Sequence, residues 1–572
     1  MSYKYAVIDI ETTGLNRFKD EITFIGVELH KDIKQKGKKT FIYDYSKPED
    51  RRKFANLVKK MKERHVKTVF QNGKFDTLFI EVKMGIKLPI HEDVMLMGTV
   101  YDLADKHGLK YMAQKYLHVE DWDIKNKDKL SGNCEMVVPY LKCDLKYTWE
   151  LFEFFSIRLN EQQEHLYRGL LIKAFRMYRD VERNGIYIDL DQFQTTKQEY
   201  KRKEAETLQA LKDRYDINWN SPQQKQDVLF SKDKENLPVL KLTPKRQPSA
   251  DASVMKRLAG KGYELPQLIL DYSAVNTLNK MFLNRWEDDA AYDGRIHPSF
   301  NLTNVVSGRT SCTDPNLQQV PRNKDIRSLF TAPEGRLFFE ADYSQLELRI
   351  AAHYSNDPTM LRIYNVGGDI HTMTASLMTG GRTPTKEERS KAKAVNFGFL
   401  YGMSAKKFVE YAYDSYGQTF SNVEAEAYRD AFFAKYSRLL PWHKEQEELC
   451  EMLGGVTTLF GRFRKLPKIY SDNKYEHLEA ARRAVNTPVQ GTGSDILLSA
   501  AVEVHKRLSP YGLKICGTVH DSILGEFNAE DEDWIVDEIK AIMAHPRILD
   551  DFGIELKVGL EADIGVGPWG SK

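Results

Sequence analysis

The feature that most constrains the fold lies at the start of the chain, in the apolar run of residues 5–11, YAVIDIE. In a β-strand, Ala6, Ile8 and Ile10 share one face, so Asp9 and Glu11 lie together on the other. Short apolar runs, such as residues 68–70, then alternate with helical periodicity up to about residue 160. This pattern predicts an α/β domain with two acids side by side on one strand.

Length and composition exclude several classes of protein. The 572 residues suggest about three or four domains. No uncharged apolar run approaches the roughly 18–20 residues of a membrane span, and the N-terminus lacks a signal-peptide pattern. The five cysteines are few, odd in number and without metal-site spacing, so we expect a reducing, cytoplasmic location rather than a disulfide framework or zinc ribbon. The net charge of +2 does not by itself indicate a nucleic-acid binder.

Four zones follow one another along the chain. After the α/β zone, residues 165–290 are mostly helical and charged, with a helix start at Asn220-Ser221-Pro222. Residues 291–352 contain turns, a strand and a helix. Helical patterns dominate residues 353–482. After residue 483 the pattern predicts a helix, a strand pair and a short final strand. The basic run at residues 31–39 is either a solvated hairpin loop or a nucleic-acid contact.

The first candidate site is the acid pair on the N-terminal strand. Asp9 and Glu11 repel each other unless a cation lies between them, and hard oxygen ligands favour Mg²⁺ or Mn²⁺. Alone, the pair could equally be an ordinary surface feature. Two further acids strengthen the metal interpretation: Asp76 follows an apolar run, and Asp144 lies one helical turn after Tyr140.

The order DIETTGL, NxxxFD and YxxxD over residues 5–150 resembles the DnaQ-like (DEDDy) 3′–5′ exonucleases. The resemblance implies two metal ions about 3.5–4 Å apart, held by four carboxylates: Asp9, Glu11, Asp76 and Asp144. It also implies that Tyr140 orients the attacking water. We interpret Asp93 as supporting structure rather than as a ligand.

A second candidate site contains two distant acids. Asp342 ends an apolar strand before a helix, and Asp521 lies between two apolar stretches. Each alone could be an ordinary turn aspartate. Between them lies a helix whose side chains at spacings of four form one oblique stripe: Arg389, Lys393, Phe397 and Tyr401. The stripe could bind a triphosphate and stack a base, or it could be a solvated cationic turn running into a buried aromatic face.

The segments DYSQLELR, RSKAKAVNFGFLYG and VHD resemble motifs A, B and C of the family A DNA polymerases, the polymerase I group. Two more segments, SGRTSCTDPNLQQVP and ARRAVNTPVQGTGSDI, resemble further signatures of that family. The implied fold is α/β and α+β: an RNase H-like (DnaQ-like) exonuclease followed by a right-hand polymerase. The expected domains are the exonuclease (1–165), palm base (166–190), thumb (191–290), palm with motif A (291–352), fingers with the motif B helix (353–482) and palm with motif C (483–572).

The family resemblance also implies residue roles. Asp342 and Asp521 hold two Mg²⁺ ions, for which Mn²⁺ can substitute, and Lys393 protonates the departing pyrophosphate. The dNTP contacts come from Gln345, Glu347, His371, Arg389, Lys393, Phe397 and Tyr401, with Glu347 as a steric gate against a ribose 2′-OH. The DNA contacts come from Arg309, Gln318, Gly402, Arg482, Asn486, Gln490 and His520. Lysines and arginines at 197–214 are expected along the thumb.

Three features depart from the family pattern or limit it. Ser522 stands where motif C usually has a glutamate, which affects metal preference or rate. Phe397 in place of tyrosine implies discrimination against dideoxynucleotides. The length leaves no residues for a 5′ nuclease, which favours a compact bacteriophage replicative enzyme.

The expected partners are primer-template DNA and dNTPs, with a phage helicase, primase or processivity factor as further candidates. We expect a monomer, no membrane association and a host-cell cytoplasmic location. Two alternatives stay open. One is a single-subunit RNA polymerase, against which Glu347 argues. The other is an exonuclease or DNA-binding protein with an impaired polymerase half, for which Ser522 is the one hint.

Overall fold

The computed structural model describes residues 3–33, 35, 37–122 and 134–571. These residues form two units: Met1–Gly185 with Pro298–Thr313 and Gly335–Gly565, and Ile186–His297 with Asp314–Glu334 and Val566–Lys572. Among the described helices, none is both long and apolar enough to cross a membrane. The basic run at residues 31–39 connects two strands, as expected for a hairpin loop, and its Lys34 and Lys36 lie outside the described residues.

The predicted N-terminal strand is the middle of a five-stranded mixed sheet of order β3-β2-β1-β4-β5. Its strand β1 pairs antiparallel with β2 and parallel with β4. Because Ala6, Val7 and Ile8 are all buried, both faces of β1 are covered before Asp9 and Glu11 are reached. The strands are β1 (Tyr5–Thr12), β2 (Ile22–His30), β3 (Lys38–Asp44), β4 (Lys67–Phe70) and β5 (Glu92–Asp93).

Helices pack against this sheet, and Asp93 anchors two of them. Its carboxylate accepts hydrogen bonds from the backbone N–H groups of Met95 and Leu96 at the start of α3, and from Gly73 N–H at the start of α2. This is the supporting role that the sequence suggested. The helices are α1 (Pro48–Glu63), α2 (Gly73–Met84), α3 (Val94–Tyr101), α4 (Leu109–Leu117), α5 (Cys134–Ser156), α6 (Glu161–Leu166) and, after the π-helical turn Tyr167–Leu171, α7 (Ile172–Asn184).

The second unit is helical around its own apolar core, which includes Leu211, Trp219 and Leu258. The predicted helix start is confirmed: Ser221 accepts the N–H of Gln224, and Pro222 is the first helical residue. On α8, Lys197 is buried and ion-paired with Glu287. The elements are β6 (Ile186–Tyr187), α8 (Leu190–Arg214), α9 (Pro222–Phe230), α10 (Ala252–Ala259), α11 (Glu264–Leu278), the π-helical turn Asn279–Leu283, α12 (Asn284–Asp289), β7 (Arg295–Ile296), the 3₁₀ turn Leu317–Gln319 and α13 (Lys324–Arg327).

The remainder of the first unit contains a four-stranded sheet of order β13-β14-β10-β15. Strand β14 pairs antiparallel with both β10 and β13, and its register puts Ser522 opposite Asp342. The predicted strand pair near the C-terminus is thus β13–β14. The strands are β8 (Ser299–Asn301), β9 (Ser311–Thr313), β10 (Arg336–Tyr343), β11 (Gly455–Thr457), β12 (Phe463–Lys465), β13 (Lys514–Val519), β14 (Ser522–Asn528) and β15 (Ala562–Val566).

Ten helices accompany this sheet in the described chain, and several begin at side-chain caps. Thr385 and Ser421 each form a capping box with the glutamate three residues later. The boundary expected at 482/483 lies inside the 35-residue helix α21. The helices are α14 (Leu346–Ser355), α15 (Pro358–Asn365), α16 (Ile370–Met378), α17 (Lys386–Leu400), α18 (Ala405–Tyr416), α19 (Asn422–Lys435), α20 (Leu439–Leu453), α21 (Lys474–Leu508), α22 (Glu532–Ala544) and α23 (Ile548–Asp551), with 3₁₀ turns at Pro467–Tyr470, Ser509–Tyr511 and Ala529–Asp531.

Candidate active sites

The first site forms where the end of β1 meets α2 and α5. Carboxylate oxygens of Asp9, Glu11 and Asp144 lie within 4.8 Å of one another. The fourth predicted acid, Asp76, reaches the same strand from α2 and accepts the N–H of Ile10 at 3.1 Å. Two residues of one strand and one residue from each of two helices therefore converge, although 135 positions separate Asp9 from Asp144 in the sequence.

The electrostatics of this cluster favour a cation. The pKa of Asp9 lies well above its ordinary value, first because of burial and then because of the charges of Asp76, Asp144 and Glu11. Burial likewise raises the pKa of Asp76. Like charges in a desolvated space disfavour ionisation of all members, and a hard divalent cation with oxygen ligands removes that penalty. The donor set therefore fits a divalent metal ion.

Two side chains that the sequence analysis missed contact this cluster. Lys110 Nζ donates to the Tyr140 hydroxyl at 2.5 Å, and Trp122 Nε1 donates to Asp144 Oδ1 at 2.5 Å. Tyr140 and Asp144 lie one turn apart on α5, as predicted. Lys110 belongs to α4 and Trp122 follows it. Neither lies in a motif, so their sequence carries no signal of these contacts.

The second site lies at one end of the β13-β14-β10-β15 sheet. Asp342 is near the end of β10, and Asp521 occupies the tight turn between β13 and β14, where His520 has a φ of 54°. Ser522 Oγ donates to Asp342 Oδ1 at 3.0 Å. Burial raises the pKa of Asp521 to about 7, with Glu347 and Asp342 adding to the shift and Arg309 opposing it. The two predicted acids thus share one electrostatic environment.

Glu347 is held at this site by two donors. It lies in the first turn of α14 and accepts hydrogen bonds from the Tyr401 hydroxyl and the Arg309 guanidinium. Tyr401 was expected within the α17 helix but is its C-terminal cap, and Gly402 follows with a φ of 75°. Before α14, Gln345 has left-handed backbone geometry and accepts from the Tyr364 hydroxyl at 3.2 Å.

On α17, Arg389 and Lys393 lie nearer the N-terminus of the helix and Phe397 nearer its C-terminus. Arg389 Nε donates to Asp369 Oδ2 at 2.8 Å, so its charge is engaged at the start of α16. The ring centres of Phe397 and His371 are 5.7 Å apart. His371 is buried, and its Nδ1 lies 2.8 Å from Asn396 Nδ2.

Burial lowers the pKa of His371 to about 4, and the cations Lys393 and Arg389 add to the shift while Asp369 opposes it. This histidine is therefore neutral at pH 7, and Lys393 is close enough for its charge to act on it.

The predicted DNA-binding residues divide between the two units. Arg309 is within hydrogen-bonding distance of Glu347, and His520 immediately precedes Asp521. Three residues follow one another along α21: Arg482, Asn486 and Gln490. Arg482 is exposed, whereas the side-chain oxygen of Asn486 is buried without a hydrogen-bond partner among the described residues. Gln318 belongs to the second unit, in the 3₁₀ turn Leu317–Gln319.

Comparison with known proteins identifies the family of each part of the chain. A family model described as DNA polymerase family A matches residues 190–571, and one described as 3′–5′ exonuclease matches residues 2–159. The chain is 30% identical to DNA polymerase I of Aquifex aeolicus, with 94% of this chain and 91% of that one covered. It is 32% identical to the Pseudomonas aeruginosa DNA polymerase I and 27% identical to the DNA polymerase of Bacillus phage SP01.

Those alignments cover 87% and 86% of this chain, but it spans 56% and 61% of the Pseudomonas and phage relatives. The fold matches a solved structure, the POL domain of Pol1 from M. smegmatis in complex with DNA primer-template and dNTP. That match has a TM-score of 0.82 and 24% sequence identity, and covers 99% of this chain and 95% of the other. On the two family matches and the Aquifex relative, this chain belongs to the family A DNA polymerases and carries a 3′–5′ exonuclease domain.

Proposed function

We propose that this protein extends a primer 3′-OH with dNTPs on a DNA template, and that its N-terminal domain removes mispaired nucleotides in the 3′–5′ direction. The observation that carries the polymerase activity is the placement of Asp342 and Asp521 at neighbouring strand ends, where the charge of Asp342 adds to the burial that raises the pKa of Asp521. Two carboxylates on neighbouring strand ends are suited to bind divalent cations. Glu347 and Tyr401, which are hydrogen-bonded to each other beside these acids, contribute to the nucleotide site.

Mg²⁺ is the proposed cofactor at both sites, two ions per site, with Mn²⁺ as a substitute. When bound, such ions lower the pKa of a hydroxyl or water and neutralise developing phosphate charge. At the polymerase site, Asp342 and Asp521 are the ligands. Lys393 and Arg389 bind the triphosphate at the cationic end of α17, and Lys393 gives a proton to the leaving pyrophosphate. Neutral His371 donates a hydrogen bond to the same phosphates, and Phe397 packs on the sugar and base.

Glu347 is the proposed gate against ribonucleotides. Its carboxylate is fixed by the Tyr401 hydroxyl and by Arg309, so it cannot swing away without losing two charge-assisted hydrogen bonds. A fixed carboxylate beside the sugar excludes a 2′-OH by steric contact. Gly402 follows Tyr401 at the end of α17 and has a φ of 75°, a backbone conformation that favours glycine.

At the exonuclease site, Asp9, Glu11, Asp76 and Asp144 are the proposed ligands, and Tyr140 orients the water that attacks the terminal phosphodiester. Tyr140 lies one turn from Asp144 on α5, so its hydroxyl and that carboxylate face the same space. Only single-stranded 3′ ends are expected to enter, because the four carboxylates are buried or half-buried.

Primer-template DNA is the proposed partner, bound by Arg309, Gln318, Gly402, Arg482, Asn486, Gln490 and His520. The complex of the M. smegmatis domain with primer-template and dNTP supports primer-template DNA as the class of partner. We further propose the thumb, palm and fingers divisions given above, a monomeric state and a cytoplasmic location. The phage origin and the helicase, primase or processivity partners stay predictions.

The deciding experiment is primer extension and 3′ degradation by the same preparations in Mg²⁺. Wild type should do both. Asp342→Asn should abolish extension and keep degradation, whereas Asp9→Ala with Glu11→Ala should do the reverse. A wild-type protein that degrades single strands but extends no primer would instead support the alternative of an impaired polymerase half. Loss of both activities in either variant would contradict two independent sites.

A further inference from the structure

Lys110 and Trp122 lie against the exonuclease carboxylates but belong to no motif of the sequence. Lys110 is the second residue of α4, and Trp122 follows that helix after a short connection. Both side chains are half-buried. Their polar groups are directed at α5, at two positions four residues apart: Lys110 at Tyr140 and Trp122 at Asp144.

The contact of Lys110 with Tyr140 fixes the direction of the tyrosine hydroxyl. An ammonium group has three donors and no acceptor, so the phenol oxygen must be the acceptor at 2.5 Å. The proton of Tyr140 is then directed elsewhere. The same ammonium lies 4.4 Å from the centre of the Tyr140 ring, which adds a cation–π contact. Ring and hydroxyl are thus both restrained by one side chain.

The contact of Trp122 with Asp144 acts on the carboxylate in the same manner. The indole N–H is a donor only, and it meets Asp144 Oδ1 at 2.5 Å. The indole ring is held in turn by Tyr147, with ring centres 4.4 Å apart. Tyr147 lies one turn beyond Asp144 on α5, so the ring contact and the hydrogen bond fix Trp122 against one face of that helix.

We propose that Lys110 and Trp122 are positioning residues of the exonuclease reaction: Lys110 directs the Tyr140 hydroxyl at the attacking water, and Trp122 holds the Asp144 carboxylate in place. This inference rests on the exonuclease activity proposed above. A lysine that served only to bind the DNA backbone would not need to direct its ammonium at a phenol that is 8% exposed.

A double-mutant cycle tests the role of Lys110. We expect Lys110→Met to lower kcat for degradation of a single-stranded oligonucleotide about tenfold, the loss typical of one charge-assisted hydrogen bond, with KM unchanged. In a Tyr140→Phe background the same change should have no further effect, because coupled residues are non-additive. Lys110→Arg should recover much of the rate. Lys115→Met, on the same helix and ion-paired with Asp105, is the matched control.

Binding of the same oligonucleotide in the presence of EDTA supplies a readout apart from catalysis. The dissociation constant should be the same for wild type and Lys110→Met. The positioning role of Lys110 would be overturned if the kcat of the double variant fell by the product of the two single-variant losses. It would also be overturned if Lys110→Met weakened oligonucleotide binding and left kcat unchanged. If wild type itself degrades nothing, the proposed exonuclease function fails instead, so the two failures are distinguishable.

Trp122→Phe tests the second contact, because phenylalanine keeps an aromatic ring against Tyr147 and removes the N–H donor. We expect kcat to fall about threefold to tenfold, with oligonucleotide binding in EDTA and primer extension unchanged. Trp149→Phe is the control, since Trp149 lies in the same domain and stacks on His30. Equal kcat in Trp122→Phe and Trp149→Phe would overturn the role of Trp122.

Discussion

The hydroxyl of Ser522 donates a hydrogen bond to Asp342 Oδ1 at 3.0 Å, from the position directly opposite in the β10–β14 ladder. From the sequence, this serine stood out as a missing carboxylate of motif C. In the structure it is buried and supplies a donor to one of the two remaining acids. Ser522 therefore restrains the position of the Asp342 carboxylate with a neutral donor and adds no third negative charge.

Replacing Ser522 tests this function. Ser522→Ala should lower the kcat of primer extension about tenfold or more, because a hydrogen bond to a charged group contributes about 1.5 kcal/mol or more. Ser522→Thr keeps the hydroxyl and should stay within about twofold of wild type. Single-turnover extension gives the rates, and 3′ degradation by the same samples is the internal control. Equal losses in the alanine and threonine variants would show that packing, rather than the hydroxyl, matters.

Several acids of the two candidate sites could be predicted from the sequence because they adjoin apolar runs, whereas Asp144 was predicted from its spacing of four residues from Tyr140. Asp9, Glu11 and Asp342 lie at the ends of buried strands, where periodicity indicates which face they share. Asp521 was recognised from two apolar stretches around a turn, and these are β13 and β14.

Contacts made by polar side chains across the fold could not be predicted in this way. Lys110 and Trp122 come from stretches without apolar periodicity, and their partners are about 20 to 30 residues further on. The pairing of Arg389 with Asp369 and the burial of His371 likewise depend on how α16 packs against α17. Propensity and spacing carry no information about such packing, which is determined by the whole tertiary structure.

Glu347 can be tested by separating its size from its charge. Glu347→Ala opens space beside the sugar and should increase ribonucleotide incorporation, relative to deoxyribonucleotide, by about tenfold or more, since a clash with one buried group costs several times RT. Glu347→Gln keeps the size and should retain most of the discrimination. The measurement is kcat/KM for matched rNTP and dNTP pairs. A wild type that already uses both equally would contradict the gate.

The pKa of Asp521 predicts how stability depends on pH in the absence of metal. Burial, Glu347 and Asp342 raise this pKa from the ordinary 3.8 to about 7. Between these values the folded chain holds a proton that the unfolded chain releases, so the free energy of unfolding contributed by this group falls as pH rises from about 4 to about 7. The raised pKa values of Asp9 and Asp76 act in the same direction.

Thermal unfolding in EDTA provides the measurement. Asp521→Asn removes the ionisable group. The difference in melting temperature, variant minus wild type, should therefore be larger at pH 8 than at pH 5. Asp288→Asn, at an exposed position of α12, is the control and should follow the wild-type pH profile. Added Mg²⁺ should raise the wild-type melting temperature at pH 8, because ligands that bind only the folded state stabilise it. A pH-independent difference between Asp521→Asn and wild type would contradict the raised pKa.

Phe397 gives a prediction about the sugar. It lies on α17 beside His371, and the family's tyrosine variant replaces the contact that a dideoxynucleotide lacks. Phe397→Tyr should therefore increase dideoxynucleotide incorporation by at least about tenfold, the value of one hydrogen bond of about 1.4 kcal/mol. Chain-termination ratios with matched ddNTP and dNTP mixtures measure it, with Phe399→Tyr, at a fully buried position two residues on, as the control. Unchanged ratios would mean that residue 397 is not at the sugar.

The ion pair of Arg462 and Asp495 is a stability element distinct from both sites. Both side chains are buried, with Arg462 Nε 2.9 Å from each carboxylate oxygen, and the pair joins the β11–β12 hairpin to α21. Asp495→Ala leaves an uncompensated buried guanidinium and should cost about 3–5 kcal/mol. Glu479→Gln, which breaks an exposed pair with Arg483 on the same helix, should cost less than about 0.5 kcal/mol. Denaturant unfolding measures the two changes in the free energy of unfolding. The double variant Arg462→Met with Asp495→Leu should recover much of the stability lost in Asp495→Ala, because no buried charge then lacks a partner. If Asp495→Ala and Glu479→Gln lower the free energy of unfolding by the same amount, the buried ion pair is no more important for stability than the exposed one.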